Sequence, residues 1–97
     1  METYIILANY TQQGLANIKE SPARIEAAKA ATERAGGEWL GWWLTSGRYD
    51  FVVMANAPDG ATAATIVLAI SMGGNIRTET MRAYSTEEFA GIVANLP

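Results

Sequence analysis

One short stretch of the chain carries several residue types that can do chemistry. Gly47-Arg48-Tyr49-Asp50 interrupts two apolar runs, WLGWWL before it and FVVMA after it. A cation, a phenol and a carboxylate in sequence suit a site in which Arg48 holds an anion while Asp50 or Tyr49 moves a proton. The same quartet also suits a plain hairpin turn in which an arginine neutralises Asp50. Both interpretations depend on what the fold places beside it.

The composition of the chain excludes several classes of function. The 97 residues have a net charge of −3 and contain neither Cys nor His. The seven scattered basic residues form no patch for nucleic acid or for a membrane surface, so neither is an expected partner. Thiolate nucleophiles, imidazole bases and haem ligation through His are excluded. No acidic pair has metal-ligand spacing, so we expect no metal and no cofactor.

The chain begins without the basic stretch and cleavage site of a secretory signal. Absence of Cys is typical of proteins in a reducing compartment. The sequence therefore predicts a cytoplasmic protein with one domain, residues 1–97.

Four apolar, β-rich runs predict the strands. They are Thr3 to Asn9, Glu38 to Thr45, Asp50 to Asn56 and Asn75 to Tyr84. A helix beginning at Gln12 is expected to be reset at Ser21-Pro22, with Ser21 as the N-cap, and to end at Gly36-Gly37. Asp59 caps a second helix, Gly60 to Met72.

The end of the chain predicts an amphipathic helix. Ser85 and Glu88 have the spacing of a capping box, and Phe89, Ile92, Val93 and Leu96 follow at helical spacing. The full order is βαββαβ with a C-terminal helix. Two interleaved right-handed crossovers then give an α+β, ferredoxin-like domain with a four-stranded antiparallel sheet in the order 4-1-3-2.

The predicted sheet has more apolar residues than one chain can cover. Phe51 and Val53 point to one face and Val52 and Met54 to the other, and strict alternation puts Trp39 and Trp43 opposite Leu40, Trp42 and Leu44. We therefore expect a homodimer, or a higher oligomer, joined through facing sheets, with Trp42 and Trp43 in the interface or as the wall of a ligand pocket. The alternative is that the C-terminal helix folds over the sheet.

The topology also predicts which polar residues gather around the quartet. The turn after the second strand lies at the edge where the first strand ends, the first helix begins and the last strand starts. We call this edge the rim; its expected members are Asn9, Tyr10, Thr11, Arg48, Tyr49, Asp50, Asn75 and Arg77. Arg48 or Arg77 is expected to pair with Asp50, and the first helix is expected to present its N-terminus, with Gly14 permitting close approach of a ligand.

The sequence resembles the GYD domain family, whose motif is matched by Gly47, Tyr49 and Asp50. The resemblance extends over YIILANYT, QGLANIKESPAR, TSGRYDFVV and GNIRTETMRAYSTEEFAGIVANLP. It implies a bacterial or archaeal protein of the dimeric α/β-barrel type and transfers no particular reaction. By fold alone, the wider group of such barrels implies monooxygenase, isomerase or cyclase chemistry.

Three functions remain open at the level of the sequence. The first is a dimeric protein that binds a small anionic or aromatic molecule with Asn9, Arg48, Arg77, Trp42 and Trp43. The second is a cofactor-free enzyme in which Asp50 or Tyr49 transfers a proton. The third is an assembly module whose apolar sheet serves only oligomerisation.

Overall fold

The computed structural model describes the whole chain, Met1–Pro97. Its elements are β1 (Glu2–Tyr10), α1 (Gln12–Ala16), α2 (Ser21–Arg34), β2 (Glu38–Leu44), β3 (Phe51–Ala57), α3 (Gly60–Ser71), β4 (Ile76–Ala83) and α4 (Thr86–Ala94). A 3₁₀ turn, Ile18–Glu20, joins α1 to α2. The predicted order of elements is confirmed, and the strand ends lie next to or at the predicted residues.

The four strands form one antiparallel sheet in the order β2-β3-β1-β4, which is the predicted order. The central strand β1 pairs with β3 on one side and with β4 on the other. Two crossovers, through α2 and through α3, connect strands that are not neighbours in the sheet. This arrangement brings the end of β1, the turn after β2 and the start of β4 to one rim, as expected.

Side-chain caps determine where three of the helices begin. The Thr11 hydroxyl accepts the Gly14 N–H at α1, and the Asp59 carboxylate accepts the Thr62 N–H at α3. Ser85 and Glu88 form the predicted capping box of α4. Ser21 is not the N-cap predicted for α2, because it lies inside the helix with its hydroxyl 2.6 Å from that of Tyr10.

The helices α2 and α3 cover one face of the sheet. Side chains on that face include the buried Tyr4 and Ala8 of β1 and the alternate residues of β3 from Phe51 to Ala57. The residues between them point to the opposite face, on which no helix lies; we call it the open face. Its apolar members are Ile5, Leu7, Trp43, Val52, Met54 and Met81.

A β-bulge at Leu40 changes the predicted faces of β2. Trp39 pairs with Ala55, but the next paired residue is Gly41, opposite Met54. The extra residue shifts the alternation by one, so Trp39 and Trp42 both lie on the helix-covered face and Trp43 lies on the open face. The prediction that Trp39 and Trp43 share a face was wrong, because it assumes unbroken alternation.

The C-terminal helix α4 does not fold over the open face. It makes no extensive contact with the rest of the chain, and Phe89, Ile92, Val93 and Leu96 are all exposed. Arg82 holds the start of the helix, since its guanidinium lies 3.1 Å from the Glu88 carboxylate and stacks 4.4 Å from the centre of the Tyr84 ring. Two apolar surfaces, the open face and α4, are therefore left uncovered by the chain itself.

Candidate functional site

The turn between β2 and β3 closes through its own hydrogen bonds. The Thr45 N–H donates to the Asp50 carbonyl at 2.9 Å, and the Thr45 hydroxyl donates to the Tyr49 carbonyl at 2.7 Å. Gly47 has a φ of 110°, a conformation that a side chain would strain. These features account for the Gly-x-Tyr-Asp spacing as turn geometry, and they leave Arg48 exposed to solvent.

Asp50 fastens that turn to the end of β1. Its carboxylate accepts the Tyr10 N–H at 2.9 Å, while its own N–H is shared between the Ala8 carbonyl at 2.9 Å and the Asn9 side-chain oxygen at 3.1 Å. Three backbone and side-chain groups of β1 thus converge on one residue. Hydrogen bonds of this kind to a carboxylate contribute about 1.5–3 kcal/mol to stability.

The ion pair predicted for Asp50 is absent. The ion pairs of the chain, at up to 4.0 Å, join Arg24 to Glu20 and Arg82 to Glu2 and Glu88. The backbone N–H of Tyr10 takes the place predicted for Arg48 or Arg77 as a partner of the carboxylate. The end of β1 supplies this partner within hydrogen-bond distance, whereas Arg48 is exposed in the turn and Arg77 lies opposite Asn9 on β4.

Tyr49 has a partner that the sequence did not suggest. Its hydroxyl donates a 2.6 Å hydrogen bond to the carboxylate of Glu79, on the open face of β4. That hydrogen bond, followed by partial desolvation, raises the pKa of Tyr49 above its ordinary value. At neutral pH the phenol is therefore a hydrogen-bond donor and is poorly suited to act as a base.

The N-terminus of α1 is occupied by the chain itself. Thr11 caps the helix and also donates from its hydroxyl to the Gly74 carbonyl at 2.6 Å, while Gln13 reaches the Gly73 carbonyl at 2.8 Å. A Cβ on Gly14 would lie 2.0 Å from the Asn75 carbonyl oxygen. Gly14 is therefore needed for contact with the loop before β4, whereas the prediction was close approach of a ligand.

Part of the predicted cluster surrounds a shallow depression on the open face. Its volume is about 250 Å³, and its lining residues are Leu7, Asn9, Tyr49, Arg77, Thr78 and Glu79. The fold thus brings Asn9, Tyr49 and Arg77 together and keeps Arg48 and Trp42 apart from them. Glu79 completes the group. In the sequence it belongs to the alternating polar residues of β4, and that pattern is equally typical of residues that face solvent.

A larger cavity lies between the sheet and the two covering helices. It has a volume of about 350 Å³, and 18 of its 26 lining residues are hydrophobic. Small residues on the helices create the space, since α2 contributes Ala27, Ala28 and Ala31 opposite the Trp42–Phe51 stack of the sheet. The cavity is partly open to solvent, so a small molecule can reach it from outside.

No three carboxylates or other metal-binding side chains converge anywhere in the chain. No helix combines the length and the apolar character needed to cross a bilayer. The polar groups around the depression are the Asn9 amide, the Arg77 guanidinium and the Glu79 carboxylate, which accepts the Tyr49 hydroxyl.

The fold and the rim define a ferredoxin-like α+β domain with one open sheet face. The GYD domain model matches residues 4–93, and the chain belongs to that family. It is 32% identical over 84 residues to the glutamine synthetase and cystathionine beta-lyase binding protein of Thermus thermophilus, with 86% of this chain and 88% of the relative covered.

Solved structures share the fold at low sequence identity. A crystal structure of a protein from Thermus thermophilus has a TM-score of 0.55 at 20% identity, covering 88% of this chain and 95% of the other. The leucine response regulatory protein of Mycobacterium tuberculosis has a TM-score of 0.57 at 13% identity over 87% of this chain. The present chain spans about half of that regulator, 51% of its length, so only the domain fold is shared.

Proposed function

We propose that this protein is a homodimeric module that binds other proteins. The observation that carries the proposal is the amount of apolar surface that a single chain leaves uncovered, on the open face and on α4. The relative from Thermus thermophilus, which is named as a binding protein of two enzymes, supports a metabolic enzyme as the class of partner.

The open face is the proposed dimer interface. Its six apolar side chains form a continuous strip across all four strands, and Trp43 remains 50% exposed and Met81 41% exposed in one chain. Covering a large apolar side chain is worth about 1.5–3 kcal/mol, so several together can hold two copies face to face. A twofold axis makes the same strip meet itself, which gives the dimeric α/β barrel expected from the family.

The helix α4 is the proposed partner-binding element. Its apolar residues Phe89, Ile92 and Val93 lie on one side and Glu87 on the other, and its capping box satisfies N–H groups of the first turn. An amphipathic helix with one free apolar side suits insertion into a groove of another protein. The ion pair between Arg82 and Glu88 connects the first turn of the helix to β4.

A charge substitution on the open face tests the dimer. Met54→Lys places a charge at the centre of that face, and Ala64→Lys, exposed on α3, is the matched control. Light scattering after size exclusion should give twice the monomer mass for the wild type and the control, and the monomer mass for Met54→Lys. A wild type that is monomeric at 100 µM, about a hundred times a micromolar dissociation constant, would contradict the dimer.

For α4, Phe89→Glu is compared with Ala94→Glu, which adds the same charge on the other side of the helix. We expect Phe89→Glu to remain a dimer and to lose binding to immobilised glutamine synthetase and cystathionine beta-lyase, while Ala94→Glu retains it. Loss of the dimer in Phe89→Glu would place α4 in the dimer interface, and absence of binding by the wild type would refute the proposed partner class.

A second candidate function is small-molecule binding at the depression on the open face. The observation that favours it is Arg77, a cation without an ion-pair partner, beside the Tyr49 hydroxyl and the Asn9 amide. A small anion is the ligand that the Arg77 guanidinium and the Asn9 side-chain N–H groups suit. The Tyr49 hydroxyl is not available to it, because it already donates to Glu79. Proton transfer by Asp50 is less favoured, since its carboxylate already accepts the Tyr10 N–H. Arg77→Gln should abolish any anion binding measured by calorimetry.

A further inference from the structure

The cavity between the helices and the sheet is lined like a ligand site, and it is separate from both the rim and the open face. Its volume of about 350 Å³ falls within the range of small-molecule pockets, about 300–1,000 Å³. The walls come from both layers: Ala28 and Ala31 of α2, Ile66 and Ile70 of α3, and the sheet. A compact molecule of one or two rings fits this space.

The lining indicates the charge of the ligand. Arg24 is the only charged residue among the lining residues, and its guanidinium is already 3.5 Å from the Glu20 carboxylate. An ionised ligand would therefore lose its hydration without gaining a free partner of opposite charge. A neutral molecule avoids that cost.

The lining also indicates how such a molecule is oriented. At one wall, Trp42 stacks on Phe51 with ring centres 5.0 Å apart, which offers a flat aromatic surface. On β4, Thr78 and Thr80 contribute hydroxyls to the same cavity. One polar group on an otherwise apolar ligand can hydrogen-bond there, which matches the usual design of an apolar pocket with a few polar groups.

We infer that this cavity binds a neutral, mainly apolar, ring-containing small molecule, independently of the protein-binding surfaces. The ligand replaces missing side-chain volume between α2 and the sheet, so its binding stabilises the domain. The small alanines of α2 are then a feature of the site, since larger residues at Ala28 or Ala31 would fill it. This assignment does not rest on the proposed dimer or on α4.

A matched pair of dyes tests the class of ligand. N-phenyl-1-naphthylamine is neutral, and 1-anilinonaphthalene-8-sulfonate has the same rings with an added sulfonate. In a fluorescence titration we expect the neutral dye to bind at least tenfold more tightly than the sulfonate and to raise the thermal midpoint. Tighter binding of the sulfonate, or no binding of the neutral dye, would overturn the inference.

A matched pair of variants tests the location. Ala28→Phe fills the cavity, whereas Ala30→Phe adds the same ring on the exposed side of α2. Ala28→Phe should reduce dye affinity at least tenfold while its thermal midpoint equals or exceeds that of Ala30→Phe, which should bind normally. Undiminished dye binding by Ala28→Phe would place the dye on the open face or α4 and refute the site.

Should Ala28→Phe fail to fold, Ala31→Leu provides a smaller filling change at another lining residue, judged by the same tenfold criterion. The dimer and enzyme-binding measurements are unaffected by either result, because Ala28 and Ala31 lie on the opposite side of the sheet from the open face. Failure of the cavity site and failure of the protein-binding proposal are therefore distinguishable.

Discussion

The rim and the open face differ in how their functional groups are used. At the rim, the polar groups that attract attention in the sequence have partners within the chain: Asp50 binds the Tyr10 N–H, and Thr11 caps α1. On the open face, ordinary apolar residues such as Trp43 and Met81 remain half-exposed without a partner. Residue types associated with chemistry thus stabilise the scaffold, while unremarkable residues form the surface available for binding.

The same contrast divides two neighbouring residues of β2. Trp42 packs behind the sheet on Phe51, whereas Trp43 lies on the open face with its ring over Gly41, where a Cβ would come within 2.6 Å of the indole. One belongs to the packing of the domain and the other to its outer surface. Substitutions at the two positions should therefore affect different measurements.

The largest effect is expected from Trp42→Ala. Removing a ring that packs on Phe51 leaves a cavity, so the free energy of unfolding should fall by about 3 kcal/mol in urea titrations. Trp43→Ala is the comparison and should change the free energy of unfolding of the monomer by about 1 kcal/mol or less, while weakening association. Equal losses of unfolding free energy in the two variants, measured at a concentration that keeps both monomeric, would remove the distinction between the faces.

A smaller effect is expected from Asp50→Asn at the rim. The amide keeps an acceptor for the Tyr10 N–H but loses the charge, so unfolding free energy should fall by about 1 kcal/mol. Arg48→Gln is the control and should leave it within about 0.5 kcal/mol, because Arg48 makes no ion pair.

An ion pair between Arg48 and Asp50 in solution would instead make the two substitutions non-additive. A double-mutant cycle of the pair, with a coupling energy above about 0.5 kcal/mol, would show that the rim is organised by charge rather than by the backbone of β1.

Much of the fold was predictable because its signals are local. Apolar runs located the strands, and Ser85 with Glu88 located the last helix. The handedness of the crossovers then left one strand order. The bulge at Leu40 was missed although Gly41 interrupts the apolar run beside it, and a glycine within a strand is a signal of a bulge. The extra residue decides the faces of Trp42 and Trp43.

The candidate site was predictable only as a neighbourhood. Topology placed Asn9, Tyr49 and Arg77 at one rim, but the partner of each group depends on distances of a few ångströms that spacing cannot supply. Hence the ion pair predicted for Asp50 is replaced by a backbone N–H, and Glu79 was missed as the partner of Tyr49. The cavity depends on the size of residues in two separate helices, which no local pattern reveals.

The smallest expected effect concerns the polar tether of α4 and how it responds to acid. The Ser85 N–H and then the Arg82 guanidinium hold the pKa of Glu88 below its ordinary value of 4.5. A lowered pKa in the folded state means that the ionised form favours the capped helix. This stabilisation is therefore complete above the unfolded pKa and is lost as the pH falls through the lower folded value.

We expect hydrogen-exchange protection of the α4 amides, corrected for the intrinsic rate, to be constant from pH 7 to about pH 5 and to fall in more acidic solution. Glu88→Gln retains a side-chain acceptor without a titrating charge, so its α4 amides should be less protected at pH 7 and nearly independent of pH. An acid-induced loss of protection of equal size in Glu88→Gln would mean that another carboxylate is responsible. An equal loss of hydrogen-exchange protection in β1 and β3 would mean that the whole domain, rather than α4 alone, unfolds in acid.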